Sequence, residues 1–189
     1  MRRLIGILTF AAWAATGGTP VVRDIDGREL TPLTPSGAAF VLFFITHDCP
    51  ISNYYAPEIQ RMCSEYKSKG VGCALVYIDP TLDSKSVRQH LTEYRYGDIP
   101  AILDRSRALV GATHATVTPE AVVVAHGGAV AYRGRIDNAY ASLGKPRRQV
   151  TQRDLRAALD AILAGKSVAQ AETSAVGCGI PPLNAYTKD

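Results

Sequence analysis

Beyond its first twenty residues, the chain has no apolar run approaching the roughly 20 residues that a membrane-spanning helix needs. That excludes a multi-span helical membrane protein. Charge of one sign is also scarce. The 189 residues carry 21 Lys and Arg against 17 Asp and Glu, a formal net charge of +4. Arg2 and Arg3 belong to that excess and lie in a segment read below as removable, so there is no basic field to hold nucleic acid. No internal repeat or interdomain linker interrupts the chain, which leaves a single domain with a sizeable core. Hydrophobic residues make up 47% and charged residues 20%, a balance that excludes general disorder. Cysteine and histidine are limited to four each, and only His47 lies close in sequence to a cysteine.

What is present begins with an export signature. Arg2 and Arg3 form a basic start, Leu4 to Trp13 an apolar stretch, and Ala12-Trp13-Ala14 a small-x-small cleavage pattern. Residues 1–18 therefore read as a signal peptide. An uncleaved membrane anchor is the alternative. Cysteine is absent near the cleavage region, which argues against a lipoprotein. The mature protein is expected outside the cytoplasm, periplasmic or extracellular, where disulfides persist.

The most informative motif is Thr46-His47-Asp48-Cys49-Pro50, directly after the apolar run Ala39 to Ile45. Such a run reads as a buried parallel strand. Pro50 suits the first position of a helix, where its missing N–H costs nothing. Cys49 thus sits where a strand hands over to a helix N-terminus. Partial positive charge there favours the thiolate, the reactive form of cysteine. Asp48 opposes that form and a protonated His47 favours it.

The rest of the chain reads as alternating strands and helices. Asp26-Gly27 between short extended runs predicts an N-terminal β-hairpin. A helix follows Cys49 to about Lys69, kinked by Pro57 and stopped at Gly70. Val71 to Ile78 is a second buried strand, and Ser84 to Tyr96 an amphipathic helix with Val87, Leu91 and Tyr94 on its apolar face. Ala108 to Thr113 is a short helix. Ala121 to Ala125 turns at His126-Gly127-Gly128 into Ala129 to Tyr132, an antiparallel pair. Thr151 with Asp154 resembles a capping box for a helix ending at Gly165. Residues 166–189 read as an irregular tail carrying Gly177-Cys178-Gly179. The predicted fold class is α/β, a central mixed sheet flanked by helices.

This element order, with Cys49 after the first central strand and Thr118-Pro119 before the third, resembles the thioredoxin-like superfamily over roughly Val21 to Gly165. The resemblance implies a thioredoxin-like fold for residues 19–165 and a cis bond at Thr118–Pro119, facing the reactive cysteine. Within the superfamily the chain is most similar to the redoxin (AhpC-TSA, peroxiredoxin-like) group. Thr46-x-x-Cys49 is similar to the end of the peroxiredoxin signature, which implies that the Thr46 hydroxyl sits at the sulfur. Leu42 replaces that signature's proline, and Thr118-Pro119-Glu120 lacks its arginine. Ser52 stands where a thioredoxin-type C-x-x-C has its second cysteine. Asn53 stands where the C-x-x-x-C of copper-delivery relatives has its own. No metal or cofactor is therefore expected.

The reading that follows is an exported thiol–disulfide oxidoreductase with Cys49 as nucleophile. Cys178 is the candidate resolving thiol, its glycine neighbours giving the tail freedom to move. Thr118, Pro119 and Pro50 are candidates to bind substrate. The alternatives are a thiol-dependent peroxidase, and a non-catalytic module binding a partner or metal. Partners would be protein thiols or disulfides, or peroxide. Cys63 and Cys73 flank the turn at Gly70 with similar axial travel, about 10 Å each way. They are a structural disulfide candidate, or two small buried hydrophobes. His90, His114 and His126 read as surface residues, and Lys145 to Arg148 as a solvated loop.

Overall fold

The computed structural model describes residues 21–186. The signal-peptide expectation for residues 1–18 lies outside the described residues. Asp26-Gly27 turns the chain between β1 (Val22–Arg23) and β2 (Glu29–Leu30), an antiparallel hairpin. Gly27 takes φ +81°, a conformation that favours glycine. The run Ala39–Ile45 is β3. It leads through the Cys49 loop into α1 (Pro50–Tyr54) and α2 (Ala56–Lys67). Where a single kinked helix was expected, two helices stand, parted at Tyr55. Pro57 has no N–H to continue the α1 ladder and is accommodated in the first turn of α2.

Gly70, at φ +80°, ends α2 and starts β4 (Val71–Tyr77). Asp83 caps α3 (Ser84–Glu93) by accepting from the Ser86 N–H. This helix ends short of the expected Tyr96, with Arg95 left-handed at φ +56°. β5 (Ala101–Leu103) and α4 (Ala108–Thr113) follow. Then come β6 (Val117–Thr118), β7 (Glu120–Ala125) and β8 (Val130–Gly134). β9 (Tyr140–Ser142) pairs with β10 (Lys145–Pro146), so the basic run is partly strand although it is exposed throughout.

α5 (Asp154–Leu163) corrects the capping expectation. Thr151 does not cap it. Its N–H and hydroxyl bind the Asn138 side chain, and Asp154 is taken by Arg135 at 2.7 Å. The tail is also less irregular than expected. Its β11 (Cys178–Gly179) pairs antiparallel with β6, and residue 172 bridges to Arg133.

The main sheet has the order β5-β4-β3-β7-β8. β3, β4 and β5 are parallel, while β7 and β8 run antiparallel to their neighbours. Period-two alternation splits β3 between two cores. Val41, Phe43 and Ile45 pack with α2, α3 and α5, whereas Leu42 and Phe44 face α4. With both faces of its sheet covered, β3 holds the Cys49 loop on a rigid base. Among the described residues no helix is long and apolar enough to cross a membrane.

Candidate functional site

Cys49 is the N-cap of α1, with extended backbone at φ −82° and ψ 113°. Its side chain is buried, 2% exposed. The Sγ donates to the Thr118 carbonyl at 3.4 Å, across 69 positions of sequence. Thr118–Pro119 is cis. β6 therefore delivers its backbone to the sulfur, and β11 lies alongside with Cys178 in register with Thr118. The Cys178 side chain neighbours that of Cys49. The structure thus brings together Cys49, Thr118, Pro119 and Cys178. Pro50 stands at the first position of α1 and is exposed.

Burial by itself would push the Cys49 thiol up. Donor groups gathered around the sulfur outweigh it and hold the thiol below its ordinary value. They are the Cys178 side chain, the Ser52 N–H, the Ser52 hydroxyl and the Ile51 N–H. α1 has only five residues, so individual N–H groups at its start act here rather than the dipole of a long helix. Cys178 goes the other way. Burial, then its hydrogen bond to Cys49 and the charges of Cys49 and Asp48, push it up to about 12.

Ser52 is a residue that sequence reasoning registered only as a missing cysteine. Its side chain is buried, and Oγ has no protein partner while Cys49 is a thiol. That leaves a donor available to the thiolate. Asn53, too, stands in the sequence only as an absent cysteine. Its side chain donates to the His47 carbonyl at 2.9 Å, closing the loop that carries Cys49.

Two expectations are overturned at the site. The Thr46 hydroxyl pairs with the Thr118 hydroxyl at 3.4 Å, and the sulfur's own hydrogen bond goes to the Thr118 carbonyl. Thr46 follows the end of β3, and its hydroxyl points to β6. Gly177 is also not a source of tail freedom. A Cβ there would collide with the Thr118 carbonyl, so glycine is what lets β11 approach β6 closely. The tail is anchored further by Ile180 N–H donating to Thr116 O at 2.9 Å and Arg107 donating to Pro181 O at 2.9 Å.

Aromatic residues wall the site. Tyr54 meets the Tyr55 and Tyr140 rings edge-on at 5.3 and 5.2 Å. Tyr55 donates to Asp137 Oδ1 at 2.7 Å, and the same carboxylate accepts from the Ala139 N–H. This fixes the loop that presents Tyr140.

Elsewhere, Cys63 and Cys73 are free thiols in mutual contact. The Cys73 contact first, then burial, push Cys63 well up. They border a groove of about 530 Å³ that also includes Phe40, Lys67 and Tyr96. His114 and His126 are exposed as expected, but His90 is not. It is 5% exposed and fully engaged by Tyr77 and Asn53. Among the described residues, no three His, Cys, Asp or Glu side chains gather as a metal site.

No protein-family model matches the sequence, and a search of curated proteins finds no match. Solved structures do match. An uncharacterized conserved protein from Geobacillus kaustophilus is 24% identical, with 87% of this chain and 89% of that one covered at a TM-score of 0.74. A hypothetical protein from Sinorhizobium meliloti 1021 is 27% identical, covering 85% and 88% at 0.71. A secreted disulfide oxidoreductase of Mycobacterium tuberculosis, homologous to E. coli DsbE, is 15% identical, covering 78% and 96% at 0.53. The fold is thioredoxin-like, a central mixed sheet flanked by helices with an N-terminal hairpin.

Proposed function

We propose that the protein is an exported thiol–disulfide oxidoreductase, with Cys49 as nucleophile and Cys178 as resolving thiol. One observation carries this reading. Cys49 and Cys178 both lie against Thr118, and their neighbours lower the Cys49 thiol while raising that of Cys178. The fold's likeness to a secreted disulfide oxidoreductase accords with it.

The steps follow from the charges. The Cys49 thiolate attacks one sulfur of a substrate disulfide. A Cys49–substrate disulfide forms, and the other substrate sulfur leaves as a thiolate and takes a proton. Cys49 no longer carries charge in that mixed disulfide. Two of the influences that raise Cys178, the hydrogen bond and the charge of Cys49, vanish with it. Cys178 becomes more acidic at the moment it must react. Its thiolate attacks Cys49 Sγ, releases the second substrate thiolate and closes the Cys49–Cys178 disulfide. The substrate gains two electrons, and an external dithiol would restore the protein.

Disulfide exchange is favoured over peroxide reduction because Thr46 is engaged with Thr118 and not with the sulfur. The test is reduction of a disulfide-linked protein substrate with dithiol as electron donor, run beside hydrogen peroxide. Wild type should turn over the disulfide and Cys49→Ser should not. Cys178→Ser should accumulate a mixed disulfide at Cys49. Peroxide consumption with no disulfide turnover would overturn the reading.

A further inference from the structure

A chain of hydrogen bonds of one polarity runs beneath the Cys49 loop. Asn53 Nδ2 donates to the His47 carbonyl at 2.9 Å. That leaves Asn53 Oδ1 facing His90 Nε2, also at 2.9 Å. An amide oxygen only accepts, so the His90 proton is on Nε2. His90 Nδ1 lies 2.8 Å from the Tyr77 hydroxyl, which must then donate to it. The order is Tyr77 to His90 to Asn53 to His47, passing from β4 through α3 and α1 to the backbone of the nucleophile loop.

Asn53 grips that loop twice. Besides its side-chain bond to His47 O, its backbone N–H donates to Cys49 O at 3.0 Å. The His47 ring supplies no hold of its own through Nδ1, which is buried without a partner. The loop's position therefore depends on the orientation of the Asn53 amide, and that orientation depends on His90. Burial first, and His47 second, pull His90 down to about 4, so the ring stays neutral across the ordinary pH range. His90 is on the buried side of α3 with Val87. An apolar residue would pack there without the cost of desolvating an imidazole.

We infer that His90 is a positioning residue for Cys49, acting through Asn53. The inference rests on the reading of Cys49 as nucleophile. His90 touches neither the sulfur nor any reacting atom. Its effect is to keep the start of α1 and the sulfur in the geometry at which the Ile51 and Ser52 donors reach a thiolate.

The experiment follows alkylation of Cys49 against pH in the full chain, read by peptide mass spectrometry, with a thermal melt as the check on folding. His90→Gln keeps an N–H for Asn53, and His90→Phe fills the space without one. Asn53→Ala removes the clamp from a half-buried position and leaves His90 Nε2 without its acceptor. His90→Phe and Asn53→Ala should raise the Cys49 midpoint and slow alkylation at neutral pH by about threefold to tenfold, while His90→Gln stays near wild type. A merely structural His90 would lower the melting temperature and leave the midpoint alone. A low wild-type midpoint unmoved by His90→Phe, or unmoved by Asn53→Ala if His90→Phe does not fold, overturns the positioning role alone. A wild-type midpoint at or above the free value of about 8.5 overturns the nucleophile reading and this inference with it.

Discussion

The four cysteines make two pairs, and the two differ in almost everything but their chemistry. Cys49 and Cys178 meet beyond the C-terminal end of β3, where a loop, a helix start and the tail converge. Cys63 and Cys73 meet near the other end of the parallel strands, Cys73 being in register with Val41. Both Cys49 and Cys63 are buried, and burial raises both. What separates them is the supply of donors. Cys49 has two backbone N–H groups, a serine hydroxyl and a thiol among its neighbours, and all of them lower it. The influences on Cys63 are its partner thiol and its burial, and both raise it. Proximity of two thiols does not by itself lower either of them; donors around the sulfur are what favour its anion.

The sharpest way to break this comparison is competitive alkylation of the native protein. We expect Cys49 to react on the order of a hundredfold faster than Cys63 at pH 7, read by isotope-coded mass spectrometry. Equal rates would erase the distinction.

A smaller effect should follow from Gly177→Val. The added side chain must push β11 away from Thr118 and carry Cys178 with it. Closure of the Cys49–Cys178 disulfide under mild oxidant should slow by about tenfold, with Cys63 and Cys73 unaffected. Unchanged closure would show that the β6–β11 pairing does not set the approach of the two thiols.

The mildest effect concerns pH. Folded His90 takes its proton near pH 4, against an ordinary 6.5. Between those values the unfolded chain binds the extra proton. Stability is therefore full above about 6.5 and is lost as pH falls toward 4. Urea midpoints at pH 7 and pH 5 should differ more for wild type than for His90→Gln. Parallel declines would place the loss elsewhere.

Much of this was legible from the sequence, and the exceptions have a common cause. β3, β4 and the β7–β8 hairpin are continuous apolar runs bounded by turn residues, a local signal. Cys49-Pro50 marks its own junction. β5 has three residues after Pro100, too short to show a period. β11 exists because β6 lies 60 positions earlier in the chain, and nothing local to Cys178 announces that. Ser52 and Asn53 show in the sequence only as missing cysteines of a motif, since their roles depend on the folded loop. His90 did carry a signal. It lies three residues after Val87 and four before Tyr94, on the face assigned to the core. Its polarity hid that, since the groups that satisfy it come from β4 and α1.

The pairing of β11 with β6 has a consequence for access. An unpaired strand edge is a place where an extended peptide adds by backbone hydrogen bonds. Here the chain's own tail sits on that edge, as a tethered ligand. Tethering gives it a local concentration on the order of millimolar. A free strand seeking the same edge competes against that value. The tail thus sets an affinity threshold. A strand that takes this edge must first displace the segment that carries Cys178.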